Sequence, residues 1–143
     1  MEKRTEMDRK EAAVSMHQNT YNCAQSVACA FGEDYPGDLR TVFQAMEPFG
    51  FGMGCQSVCG ALTGCLAAIG LLISDGNLET PGTKQICYEL ADRAKAMFAE
   101  RTGSDLCSVL KARDDGSIPF YCDRYIRVGV EVAEEILGLT QAE

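Results

Sequence analysis

Residues 57–74 read SVCGALTGCLAAIGLLIS, and no charged side chain occurs between Glu47 and Asp75. The continuous apolar part, from about Val58 to Ile73, falls short of the ~20 residues that cross a bilayer and lacks basic anchors at its ends. Pro48, Gly50, Gly52, Gly54, Gly60, Gly64 and Gly70 interrupt the uncharged stretch further. The segment therefore reads as a buried helix capped by Ser57. A helix apolar nearly all round belongs at the centre of a fold, with other elements packed around it.

Those elements also read as helices. A charged helix near residues 5–17 has a weak apolar stripe, which predicts a surface position. A second runs from Tyr21 to Phe31, capped by Thr20 and stopped by Gly32; a third, near 38–47, is capped by Gly37 or Asp38 and ends before Pro48. Beyond the central helix, the segment from Pro81 or Gly82 to Arg101 sets Ile86, Leu90, Ala94, Met97 and Phe98 on one face, with Gly103 as its stop. A short helix follows Ser104, and a DDGS loop leads to Pro119, which suits a first helical position. The last helix carries Cys122, Ile126, Gly129, Ala133 and Ile136 on one stripe. Alternation with a period of two is nowhere sustained, and no repeat or linker divides the chain. The prediction is one all-α, single-domain helical bundle over residues 1–143, with a buried central apolar helix.

Of the 143 residues, 46% are hydrophobic and 24% charged, which is enough apolar material for a packed core. Thirteen basic against twenty-one acidic residues give a formal charge of -8, the wrong sign for neutralising phosphates. Nucleic acid and anionic membranes are thus not expected as partners. The opening MEKRTEMDRKE has no apolar core of a secretory signal, so a cytoplasmic location is expected, with no membrane insertion. In that compartment the eight cysteines should be thiols and not a disulfide framework.

With these caps, four cysteines fall in the first turn of four different helices: Cys23 after Thr20, Cys59 after Ser57, Cys107 after Ser104 and Cys122 after Pro119. The first turn offers unpaired amides and the positive end of the helix dipole, both of which favour thiolate. One exposed helix end contributes only about 0.3–1 kcal/mol, or roughly 0.2–0.7 pK unit. A working site therefore requires several helix starts converging on one pocket, or a metal that deprotonates its ligands. Cys29, Cys65 and Cys87 fall inside helices and read as small buried apolar residues. Cys55 is left open.

Other cysteine chemistry has little support. Cys55 and Cys59 form a lone C-x3-C, weak as a metal signature because zinc sites pair two short spacings. There is no C-x-x-C, and no C-x-x-C-H for covalent haem. His17 is the only histidine and reads as a helix-surface residue. The GFGMG stretch follows no strand and precedes no Lys-Ser/Thr, so it reads as flexible backbone that can approach a cofactor and not as a phosphate cradle. Gly60, Ala61 and Gly64 leave one side of the central helix small, for tight helix packing or for a group larger than a side chain beside Cys59.

The CGALTG stretch at 59–64 resembles the Cys-Gly-Ala-x-x-Gly motif of the C-GCAxxG-C-C family, proteins of about this length labelled redox-active, with no established reaction. NCAQS at 22–26, GSDLC at 103–107 and YCDRYIRVGVEVAEEIL at 121–137 extend the resemblance over most of the chain. It places the family's four signature cysteines on Cys23, Cys59, Cys107 and Cys122, and Cys29, Cys55, Cys65 and Cys87 are extra to the signature. The family is similar to the helical part of split-Soret cytochromes. That implies a helical bundle able to dimerise and a cysteine-ligated iron–sulfur cluster, with zinc as the alternative and without haem.

The expected function is accordingly a redox protein in which Cys23, Cys59, Cys107 and Cys122 hold a metal centre, with Gly60 and Gly64 beside it, serving electron transfer or sensing with a redox partner protein. Two alternatives stand beside it. One is a metal-free protein cycling between dithiol and disulfide; the other is a non-enzymatic helical interaction module with structural cysteines.

Overall fold

Asp8, Asn22 and Asp38 each turn the chain into a helix by accepting a backbone N–H just downstream, from Glu11, Gln25 and Arg40 respectively. The computed structural model describes residues 8–114 and 122–139. Its helices are α1 (Arg9–Gln18), α2 (Cys23–Cys29), α3 (Leu39–Met46), α4 (Gly60–Ile73), α5 (Lys84–Thr102), α6 (Cys107–Asp114) and α7 (Asp123–Leu137). Among the described residues there is no strand, only an isolated antiparallel bridge between Val58 and Leu106. The fold is all-α, as the periodicity predicts.

Several helix starts differ from the sequence reading by a residue or two. Thr20 has a φ of 83° and cannot cap α2; Asn22 does so instead, in a reciprocal box with Gln25. Ser57 is likewise displaced as cap of α4 by Cys59. Pro119 and the loop before it lie outside the described residues.

α4 packs against α2, α5 and α7. Glycines set two of these approaches. A Cβ on Gly64 would stand 2.6 Å from the Ala24 carbonyl oxygen of α2, and one on Gly129 of α7 would stand 2.6 Å from the Ala61 oxygen of α4. Leu62, Cys65 and Ile69 of α4 join Val27, Phe31, Phe98, Ile126 and Val130 in the core. α5 buries Ala94 and Phe98, whereas Ile86, at 43% exposure, stands outside the core, so its predicted apolar face is covered only toward the C-terminal end.

α1 is more deeply engaged than a surface helix. Ala13 and Val14 are buried, and so is Arg9, whose guanidinium meets Glu134 of α7 at 2.8 Å and Asp34 at 3.0 Å. Paired charge explains the burial, since an unpaired guanidinium would stay in water. No helix among the described residues is long and apolar enough to cross a membrane.

Candidate functional site

The four first-turn cysteines begin four helices. Cys23 is the first residue of α2 and Cys107 of α6, while Cys59 and Cys122 are the N-cap residues of α4 and α7. Two of them are tied together by backbone. The Cys59 N–H donates to the Asp105 carbonyl at 2.8 Å, and the Cys107 N–H donates to the Ser57 carbonyl at 2.6 Å. This short antiparallel pairing brings the start of α6 alongside the start of α4.

All four cysteines line one cavity of about 170 Å³, together with His17, Phe51, Gly60, Leu110, Lys111 and Tyr125. The starts of four helices thus converge on one cavity. Gly60 is part of the wall because a Cβ there would run into the Cys23 sulfur. Gly64 is not part of the wall; it faces Ala24 and Val27 of α2 and acts in helix packing.

From the GFGMG segment, Phe51 reaches the cavity. Phe51, Gly52, Met53 and Gly54 all have positive φ, at 55°, 59°, 61° and 77°. Glycine is required at position 52, where a Cβ would meet the Ser57 nitrogen at 2.5 Å and the Cys107 Cβ at 2.7 Å. This tight left-handed turn brings the Phe51 amide to bear on the Cys23 sulfur, where it joins the amides of Ala24 and Gly60 in favouring negative charge.

Those amides do not make Cys23 a ready thiolate. Burial pushes its thiol above the usual value and outweighs the amide hydrogen bonds. Cys59 is pushed up to about 12, by burial first and by the neighbouring Cys23 and Cys122, against the amides of Ala61 and Leu62. Cys107 is also raised by burial and by Cys23, with Lys111 opposing. The expectation that helix starts favour thiolate is overturned here, because desolvation is the larger effect.

His17 departs from its predicted surface role. Its side chain is 19% exposed, and Nδ1 lies 2.9 Å from Oδ1 of Asp123, the residue after Cys122. The asparagine cap and its N-x-x-Q box carry a local signal that the Thr20 reading passed over, and Phe51 belongs to the glycine-rich stretch read as able to approach a cofactor; Lys111, Tyr125 and His17 had no local signal placing them at the site.

The extra cysteines lie elsewhere. Cys29 and Cys65 are buried in the core, with thiols pushed up to about 11 and about 12 by desolvation. Cys87 is half-buried on α5, and Cys55 is exposed beside the left-handed turn. None of the eight is disulfide-bonded. No three His, Cys, Asp or Glu side chains among the described residues stand close enough to share one metal ion.

Fold and site together define a small all-helical domain organised around four cysteines from four helix starts. The chain belongs to the family described as "Putative redox-active protein (C_GCAxxG_C_C)", whose sequence model matches residues 21–136. No curated protein and no solved structure matches it.

Proposed function

We propose that Cys23, Cys59, Cys107 and Cys122 hold an iron–sulfur cluster and that the protein transfers or senses electrons through it. The observation that carries this reading is the one cavity lined by all four cysteines. Four soft thiol donors suit iron–sulfur clusters or zinc. A single zinc draws its sulfurs to about 2.3 Å from one point; a cavity of about 170 Å³ lined by four cysteines has room for a group of several atoms. When bound, such a cluster accepts and releases one electron at a time.

The chain's own residues fit that task. Amides of Phe51, Ala24 and Gly60 directed at the Cys23 sulfur stabilise negative charge there, and hydrogen bonds to cluster sulfurs raise the reduction potential. Lys111, which lowers the Cys107 thiol, is a cation on the wall of a strongly acidic protein. Phe51, Leu110 and Tyr125 restrict water. Raised thiols count against the metal-free dithiol reading, because neutral thiols attack disulfides poorly, whereas a metal deprotonates its ligands on binding.

Anaerobic purification followed by iron, sulfide and zinc analysis tests the proposal. Wild-type protein should hold iron and acid-labile sulfide with visible charge-transfer absorption. Cys59→Ser and Cys107→Ser should lose both with helical circular dichroism intact, while Cys65→Ala should retain them. Neither iron nor zinc after attempted reconstitution rejects the metal centre, and a specific disulfide among the four cysteines after mild oxidation would then favour the dithiol.

A further inference from the structure

We infer that Phe51, Met53, Leu106 and Val109 form an apolar docking patch beside the four-cysteine cavity, and that it receives a basic, one-electron-carrying protein. This rests on the redox reading above and gives the kind of partner with which such a site exchanges electrons.

Single exposed apolar side chains are ordinary on a folded protein, so the weight lies in where these fall. Phe49, Phe51, Met53, Leu106 and Val109 are all exposed, and they come from two short stretches, residues 49–53 and 106–109. Those stretches touch. Gly52, between Phe51 and Met53, comes so near α6 that a Cβ on it would stand 2.7 Å from the Cβ of Cys107, the residue after Leu106. Val109 lies one turn beyond Leu106, its N–H donating to the Leu106 carbonyl at 3.1 Å, so the two side chains share a face at the start of α6. Leu110, next in sequence, is buried and lines the cavity. Phe51 joins patch to cavity, since it is 50% exposed and also part of the cavity wall. Phe51 and Met53 both hold left-handed φ, which L residues other than glycine disfavour; strain of this kind clusters at functional sites.

Charge selects the occupant. Residues 48–74 carry none, so the turn side of the patch is uncharged, while the whole chain has a formal charge of -8. At that charge two copies repel each other, and an anionic membrane surface is repelled as well. A positively charged protein is instead drawn in by the field of the whole molecule and held at the patch by apolar contact. Small interfaces suit electron-transfer partners, which separate after each exchange. Docked there, the partner's redox centre lies across Phe51 from the cavity, and one electron passes between it and the group held by the four cysteines.

The probe is mitochondrial cytochrome c, a small and strongly basic one-electron carrier. Anaerobically purified, 15N-labelled protein is titrated with it at low ionic strength and followed by amide NMR, with iron measured on the same sample. The amides of Met53, Leu106 and Val109 should shift or broaden together, and high salt should abolish the effect. Met53→Ser combined with Val109→Ser should weaken binding about tenfold with helical circular dichroism intact; Leu78→Ser, an exposed leucine outside the patch, should change nothing. Shifts centred on other helices, no binding, or binding that the double variant leaves unchanged overturns the patch. A protein that dimerises without the probe, and that the same two substitutions make monomeric, overturns the choice of partner. Iron without binding at the patch rejects the surface and not the cluster; binding at the patch without iron rejects the cluster and not the surface.

Discussion

At Gly60 the candidate site and the packing of α4 on α2 meet in one missing methyl group. Gly60→Ala forces the Cys23 sulfur or the start of α4 to move; overpacking of this kind costs about 1–3 kcal/mol. Lower stability in urea unfolding is expected, with loss of the iron proposed for the site, and an unchanged midpoint would show that the contact relaxes freely. The thiols should also differ in reactivity. Cys55 is exposed, whereas Cys65 is fully buried with its thiol pushed up to about 12. Mass spectrometry of metal-free protein under native alkylation should find Cys55 modified first and Cys65 last, because alkylation needs both access and thiolate. The alkylation order follows from burial, which residue type alone could not supply for eight cysteines.

Among the elements, α1 depends on a buried charge pair and α7 on a glycine. Glu134→Ala leaves the Arg9 guanidinium with Asp34 but without its 2.8 Å partner. Removing one member of a buried pair costs about 3–5 kcal/mol; the remaining Asp34 contact places the expected loss near the lower end. The comparison of unfolding midpoints checks it, and a loss below about 1 kcal/mol would mean the pair is solvated. Gly129→Ala drives a methyl group toward the Ala61 carbonyl and should destabilise by about 1–3 kcal/mol, measured the same way. Helix existence was legible because periodicity, glycine stops and proline stops act within a turn or two. Helix starts were less so. Ser57 has the side chain of a good cap, yet its backbone is engaged with Gly52 and Cys107, and the helix begins after Cys59. Likewise the face Ile86 shares with Phe98 is continuous in sequence but outruns the helices that could cover it.

For the molecule as a whole, buried thiols make stability fall at alkaline pH. Cys29, Cys59 and Cys65 are raised from 9.0 to about 11, about 12 and about 12, so between these values the folded state holds protons that the unfolded state has lost. Stability from these groups is complete below about pH 9 and declines as pH rises toward 12. Urea midpoints of metal-free protein from pH 8 to 10.5 should therefore fall, and a flat profile would contradict the burial of these groups. What the sequence by itself determined was the helical class and the position of Cys23, Cys59, Cys107 and Cys122 within about a turn of four helix starts, since periodicity and stop residues act between near neighbours, while the capping residues themselves were settled by the fold. Only the tertiary structure decided that those starts share one cavity, that desolvation raises the thiols of Cys23, Cys59 and Cys107 despite their helix starts, that Gly60 borders the cavity while Gly64 packs on α2, and that His17, paired with Asp123, lines the same cavity. Each of these depends on which distant segments exclude water from one another, and that is a property of the packed chain.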